Sequence, residues 1–527
     1  MNRYYYRYML LFTAVFAALL IGLPAYRRHY KKITIEQHSS INRSASIHPD
    51  YNDTVIPPNI APLNFKVQED GKYYYVKIYS TEGKPIEIFS KKPEIIIPEK
   101  SWHRLLDLNR GKPLYLEIFM QSQNDQWYRF QTASSRIAPE DIDRFVVYRK
   151  IHPGHALWKN IGIYQRDIES FNESVVLSND FFKNDCVNCH TFCNNQSKLM
   201  SVAVRSKIYG SDTLLIRDAK AQKIGAKFTY ANWHPSGKLV VFSQNKINQF
   251  FHSSREEIRD VIDMDSLLAY YIVDSKQVKS SDKFSRKDYL ETYPVWSPDG
   301  CFLYFCSAPI LWSDKDEIPP PKYSQVKYDL LRISYNVETD QWGELETVVS
   351  SNDTGLSASM PRISPDGKWL FLCMADYGCF NVYSQSSDLY IIDLEDAKRS
   401  SKFIPKRLDI NSNKSESWHC WSSNSRWIIF SSKRDYGVFT RLYISYIDED
   451  GNAYKPLILP QKDPLFYSSC LLTYNTPELT TEPVPVTREN LARIIRSPQK
   501  ITVDMPITMA TPKAEETSGY NIYQQRE

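Results

Sequence analysis

The chain has 527 residues, a formal net charge of +4, and 42% hydrophobic and 24% charged residues. A charge this close to balance excludes a nucleic-acid face built on a basic excess. The length calls for two or more domains, and 13% aromatic residues with 36 Tyr favour β-structure.

In chain order, Met9 to Ala25 is an apolar run preceded by Arg3 and Arg7. Its length suits a signal-peptide core or an uncleaved signal anchor, so residues 1–26 are expected to direct export. No cysteine follows it directly, which argues against a lipoprotein. Arg27, Arg28, Lys31 and Lys32 lie just beyond. The positive-inside rule would hold the body in the cytoplasm on their account, but Arg3, Arg7 and the terminal amine oppose them and long domains translocate despite flanking charge. No second run is long enough to span a membrane.

Residues 27–60, polar and rich in Asn, Ser and Pro, read as a linker. Residues 61–150 carry short alternating runs such as YYYVKIYS and PLYLEIFM, which predict a small β-sandwich. Within them, 139–151 (PEDIDRFVVYRKI) reads as a short helix, and 151–185 as a connecting segment.

Next comes Cys186-Val187-Asn188-Cys189-His190, a C-x-x-C-H. Two cysteines at i and i+3 can form thioethers to one porphyrin edge while the adjacent imidazole ligates iron, the attachment signature of c-type haem. Cys193 follows closely, so Cys186, Cys189, His190 and Cys193 are an alternative zinc set. If two cysteines carry haem, seven of the nine remain, and no disulfide framework is expected. The second axial position sets the chemistry of such a haem. Met200, His155, Met360 and His419 are the distal candidates, with His152 beside His155; His234, inside a turn, reads as structural.

From residue 186 to 475 the chain repeats. WHPSGKLVVFS (233–243), WSPDGCFLYFC (296–306), ISPDGKWLFLC (363–373) and WSSNSRWIIFS (421–431) align without gaps. Each is a polar turn followed by an apolar strand, and a second strand pair follows each one. Residues 193–203 give a fifth, degenerate unit. Four strands per recurring unit is the signature of a propeller blade, with five or six blades expected. In this register His190 falls in the slot of Tyr230, Tyr293, Met360 and Trp418, at the start of the inner strands. The region 476–527, rich in Pro, Thr and charge, reads as a disordered tail.

The W-S-P-D-G-K pattern followed by D-L-Y-x-x-D resembles the TolB-like propeller repeat, also called the PD40 or WD40-like repeat. IPPNIAPLNF (56–65), the C-x-x-C-H and the WHPSGK-type repeats together resemble an exported bacterial TolB-like family whose members often carry the label cytochrome c biosynthesis protein. The resemblance implies an all-β chain: a C-terminal β-propeller preceded by a small β-sandwich and an N-terminal anchor or signal segment. It also implies a periplasmic location at the inner membrane of a Gram-negative bacterium.

Three function classes follow. The first is a haem-c protein for electron transfer or redox sensing that docks a redox partner or envelope protein. The second is a binding scaffold whose haem or metal is structural. The third is a haem peroxidase-like enzyme. No G-x-S-x-G, H-E-x-x-H or phosphate loop is present, so hydrolase chemistry has no motif behind it and enzymatic activity is the less favoured expectation.

Overall fold

The computed structural model describes residues 35, 37–153, 160–182, 185–252, 257, 259–314 and 317–505. The expected signal or anchor segment, 1–26, lies outside them. Among the described residues no helix is long and apolar enough to cross a membrane.

The regular structure of the described part is almost entirely β, and apart from two short parallel pairs its strands pair antiparallel. Residues 39–137 form a seven-stranded and a three-stranded sheet that share one core with helix α1 (Glu99–Leu108). The helix seats Trp102, Leu105 and Leu106, and the Trp102 indole donates to the Ile60 carbonyl at 2.9 Å. The linker expected over 27–60 is corrected for its described part. Strands Ser39–Ile41, Ile47–His48 and Val55–Ile56 belong to these sheets, and Ile47, Tyr51, Val55, Ile56 and Ile60 are buried. The Asn, Ser and Pro between them make turns, not a tether.

Beyond this domain the described residues form six four-stranded sheets. Five are meanders, each starting on one of the strands β1 (Cys186–Cys193), β2 (Thr229–Trp233), β3 (Tyr289–Trp296), β4 (Ser357–Ile363) and β5 (Glu416–Trp421). In the sixth, β6 (Thr473–Thr480) pairs antiparallel with Phe145–Ile151, which pairs with Gly162–Asp167 and then Glu173–Ser178. The two ends of the region thus complete one sheet. Packing runs β1 on β2, β2 on β3, β3 on β4, β4 on β5, β5 on β6 and β6 on β1, so the first strands form a closed ring. The body is β-propeller-like.

Three expectations are corrected by the sixth sheet. Residues 145–151 are a strand, not a helix, because Val146, Val147 and Tyr148 are all buried between neighbours, which a one-faced helix would not require. Within 151–185, expected as a connector, Gly162–Asp167 and Glu173–Ser178 are two strands of the body. From Thr476 to Met505 the chain is structured: β6 is an inner strand, α2 (Arg488–Arg496) buries Leu491 and Ile495, and Ile501 bridges Ile224.

The repeat turns close themselves. Ser297 Oγ accepts from Phe302 N (2.9 Å) and donates to Asp299 (2.5 Å), and Asp299 accepts from Cys301 N (2.9 Å). Ser364 and Asp366 repeat the pattern, as do Ser422 and Asn424. Gly300 sits at φ 73°, and a Cβ there would meet His234 Nε2 at 2.4 Å. That imidazole hydrogen-bonds the Gly300 carbonyl (3.1 Å) and tethers two sheets, the structural role expected of it. The strands after the turns, such as Trp369–Ala375 and Trp427–Ser432, are buried throughout, since each sheet is covered on both faces.

Candidate functional site at the ring axis

Each first strand carries one residue in the left-handed region: Cys189 (φ 53°), Tyr230 (43°), Tyr293 (50°), Met360 (51°), Trp418 (44°) and Thr476 (47°). At each the ladder to the next strand shifts register, the mark of a β-bulge. None is glycine, so each position stores strain on the order of 1 kcal/mol or more. All six line one cavity of about 60 Å³. The bulges re-aim these side chains toward the axis.

This geometry corrects the register of the first unit. Cys189, not His190, occupies the slot of Tyr230, Tyr293, Met360 and Trp418. The β1 hairpin turns on Asn194 and Asn195, both at positive φ, and Cys193 is an extra residue before it. Phe192 therefore pairs with Met200 as Trp233 pairs with Val240. The residue after the bulge is His190 in β1 and His419 in β5, Ala231 in β2, and Pro294, Pro361 and Pro477 in β3, β4 and β6.

Part of the axis is filled by aromatic rings. Tyr230 lies 4.5 Å from Tyr293 and 5.9 Å from Trp418, and Tyr293 lies 5.8 Å from Trp418 (ring centroids). The cavity beside them is walled by His190, His419, Arg149, Arg362 and Glu478. Arg362 pairs with Glu478 at 3.0 Å; burial raises the Glu478 carboxyl even so.

His190 is 5% exposed, and neither ring nitrogen makes a hydrogen bond of ordinary geometry. Burial, opposed by the Val147 backbone, pulls its pKa down to about 4. His419 is 3% exposed; its Nδ1 faces Cys373 Sγ at 3.6 Å, its Nε2 makes no hydrogen bond of ordinary geometry, and burial, opposed by the Phe371 backbone, pulls its pKa to about 3. The Trp418 indole N–H, the Tyr293 hydroxyl and the Thr476 hydroxyl are likewise buried without a geometric hydrogen bond. Unpaired buried polar groups cost about 1–3 kcal/mol each, so this many around one cavity is the pattern of a binding site.

The expected site residues are only partly brought together. Cys189 and His190 line the cavity; burial raises the Cys189 thiol. Cys186 is buried against Ile151 and Ile161, with Arg205 donating to its sulfur at 3.6 Å. Ile151 lines a second cavity of about 170 Å³, which shares Arg149, Val382 and Tyr383 with the first. Cys193 points elsewhere: it faces the His234 carbonyl at 3.5 Å in another core, and burial pushes it up to about 11. The four residues of the zinc alternative are therefore not gathered, and among the described residues no group of three or more His, Cys, Asp or Glu could hold a metal ion. All nine cysteines are free thiols.

Of the distal candidates, Met200 is buried in a core between sheets, away from the cavity. Met360 and His419 line it, but the Met360 sulfur accepts the Trp418 N–H at 3.4 Å. His155 lies outside the described residues, and His152 lines the second cavity. Reading the sequence alone missed Arg149, Arg362, Thr476 and Glu478. The Thr476-Pro477 pair, echoing Tyr293-Pro294 and Met360-Pro361, was the one available signal for β6.

The donor types are ones that iron takes: a neutral buried imidazole and, one residue before it, a thiol. A cavity of about 60 Å³ holds only about four waters at roughly 15 Å³ each. A porphyrin therefore needs both cavities joined, and the Cys186 thiol turned out from Ile151.

No family model matches the chain, and no curated protein matches it. Among solved structures it is similar to a prolyl endopeptidase (9% identity, TM-score 0.34, 73% of this chain and 42% of that one). It is also similar to an oligogalacturonate lyase from Vibrio parahaemolyticus (12%, TM-score 0.32, 73% and 100%). A third is prolyl oligopeptidase B from Galerina marginata (12%, TM-score 0.33, 60% and 44%). The chain thus spans under half the length of the two peptidases.

Proposed function

We propose that the six sheets form one closed six-bladed propeller of the TolB-like kind, and that its axial site holds a c-type haem on His190 for electron transfer or redox sensing. The ring of first strands and the sixfold bulge support the blade number. The observation that carries the site is His190: a buried imidazole, neutral at physiological pH, directly after Cys189 at the axial cavity.

In this reading the Cys186 and Cys189 sulfurs would hold the group and His190 would ligate its iron. Bound haem would supply one-electron exchange. The chain's own residues supply the rest. The Tyr230–Tyr293–Trp418 cluster excludes water from one side of the site. Burial keeps His190 and His419 deprotonated and so available as ligands. The Arg362–Glu478 pair adds no net charge to the wall. Attachment of c-type haem occurs outside the cytoplasm, which agrees with export on the Met9–Ala25 segment and a periplasmic protein anchored at the inner membrane. An envelope protein or redox partner would dock on the propeller.

A second reading, a binding scaffold, draws on the Trp418, Tyr293 and Thr476 groups, which offer hydrogen bonds to a polar ligand. Visible spectra under a potentiometric titration separate the readings. A reversible low-spin haem supports electron transfer; a high-spin haem that binds added ligands supports the peroxidase-like class; a protein without haem supports the scaffold.

A further inference from the structure

The outer face of the seven-stranded sheet carries aromatic rings that the core does not use. Strand Tyr73–Tyr79 alternates: Tyr74, Val76 and Ile78 are buried in the core, while Tyr73, Tyr75, Lys77 and Tyr79 stand half-buried on the other face. In-register neighbours extend that face. Phe89 and Phe119 flank Tyr75 on the two adjoining strands, Tyr115 lies opposite Tyr79, and Trp127 lies across Gln121 from Tyr73.

These rings pack on one another. Tyr73 stacks on Phe89 (5.4 Å), Phe89 meets Trp127 (6.5 Å), Tyr75 meets Phe119 (5.6 Å) and Tyr79 meets Tyr115 (5.2 Å). Cations lie over them: Lys72 and Lys91 at 6.0 and 5.7 Å from the Tyr73 centroid, Lys77 at 5.2 Å from Tyr79 and Arg129 at 5.9 Å from Phe119. Three carboxylates answer these four cations: Asp125 pairs with Lys72 (2.8 Å), Glu117 pairs with Arg129 (2.5 Å), and Glu87 sits opposite Lys77. With charge this close to balance, the face has no strong field with which to hold a polyanion. Rings covered by one another and by cations also leave little open π-face for a sugar to stack on. Tyr, Trp and Lys mixed on one surface is the composition of a membrane–water interface, where an apolar ring sits among the headgroups with its polar tip in water.

The course of the chain supplies the occupant. His38 packs edge-on against Phe119 of this face (5.5 Å), and Ser39–Ile41 pairs with the strand that carries Trp127. Twelve residues separate His38 from Ala25, the end of the apolar run. They span at most about 45 Å. A bilayer that holds Met9–Ala25 is therefore within reach of this face. We infer that the aromatic face lies on the headgroup layer of that bilayer. The inference rests on the anchor reading of Met9–Ala25 and not on the haem reading.

The test places the full chain in phosphatidylcholine vesicles, with and without phosphatidylcholine brominated near the top of its acyl chains, and floats them on a density gradient. The emission of Trp127 is read as the difference between the parent and Trp127→Phe. The chain is expected to float, and bromine to quench the Trp127 emission at least twofold. Tyr73→Ser/Tyr75→Ser/Tyr79→Ser, checked for folding by a thermal melt, should still float and lose that quenching. The parent result decides the inference even where this variant does not fold. A floating chain whose Trp127 ignores bromine overturns the inference and leaves the anchor standing; a chain that does not float overturns both. Quenching kept in the folded triple variant also overturns it. A Trp127 emission that ignores bromine but responds to soluble peptidoglycan fragments or to chain concentration assigns the face to a glycan or to a second copy, and so overturns it too.

Discussion

His190 and His419 occupy the same place in two different sheets: each directly follows the left-handed residue of its first strand, Cys189 or Trp418, and both line the axial cavity. The fold thus repeats one backbone device and uses it twice to bury an imidazole. Burial lowers both pKa values, to about 4 and about 3.

A pH dependence follows for haem-free protein. Each folded value lies below the ordinary 6.5, so between pH 6.5 and the folded value the unfolded chain binds more protons. The stabilising contribution is therefore complete above pH 6.5 and is lost as pH falls toward 4. This amounts to about 3 kcal/mol at His190 and about 5 kcal/mol at His419. Urea melts at pH 7.5 and pH 4.5 should show a smaller pH penalty for His190→Gln and His419→Gln than for the parent. An unchanged penalty in both would contradict the buried, neutral assignment.

Haem-loaded protein should distinguish the two distal candidates at the cavity. The Met360 sulfur already accepts the Trp418 backbone N–H, whereas His419 Nε2 makes no hydrogen bond of ordinary geometry. His419→Ala is expected to shift the visible spectrum from low-spin to high-spin, and Met360→Leu to leave it unchanged. The reverse pattern would assign the position to Met360.

Ring closure gives a stability prediction. Asn195 Nδ2 reaches Asp143 (3.2 Å), the Trp421 carbonyl (2.9 Å) and the Leu479 carbonyl (3.0 Å), joining the β1, β5 and β6 sheets. Asn195→Ala should cost about 1–3 kcal/mol, by leaving buried acceptors unpaired. It should lower the urea midpoint without changing the slope. No change in the midpoint would mean that this junction does not hold the ring closed.

The packing between sheets is tested at Trp296. Its ring stacks on Trp342 (5.8 Å) and meets Tyr335 (5.3 Å) and His234 (4.7 Å). Trp296→Ala should cost roughly 3–5 kcal/mol in a thermal or urea melt. A loss under 1 kcal/mol would contradict a tightly filled interface.

The repeated hairpins were legible because their turns are local: Ser297, Asp299 and Gly300 make their own hydrogen bonds within six residues. The same locality explains why the strand that carries Met200 was readable while its partner strand was off by one, since the extra residue Cys193 is absorbed at a turn with a different sequence. Strand β6 was not legible. Thr, Pro and Glu resemble a solvated tail, and its partner Phe145–Ile151 comes from the far end of the body. Arg149, Arg362 and Glu478 meet only once the ring closes, so nothing local announces them. Cys189 and His190 stood out in the sequence and both line the cavity, but which of them stands at the bulge was not legible.

The most direct test of the central claim is the intact mass of the chain produced in a host with periplasmic haem ligation, read together with a pyridine haemochrome spectrum. The account predicts the added mass of one haem, lost in Cys189→Ser and in His190-preserving Cys186→Ser/Cys189→Ser, and retained in Cys193→Ala, whose thiol faces His234 in a separate core. An unmodified mass and no haemochrome band from folded, exported protein would contradict it.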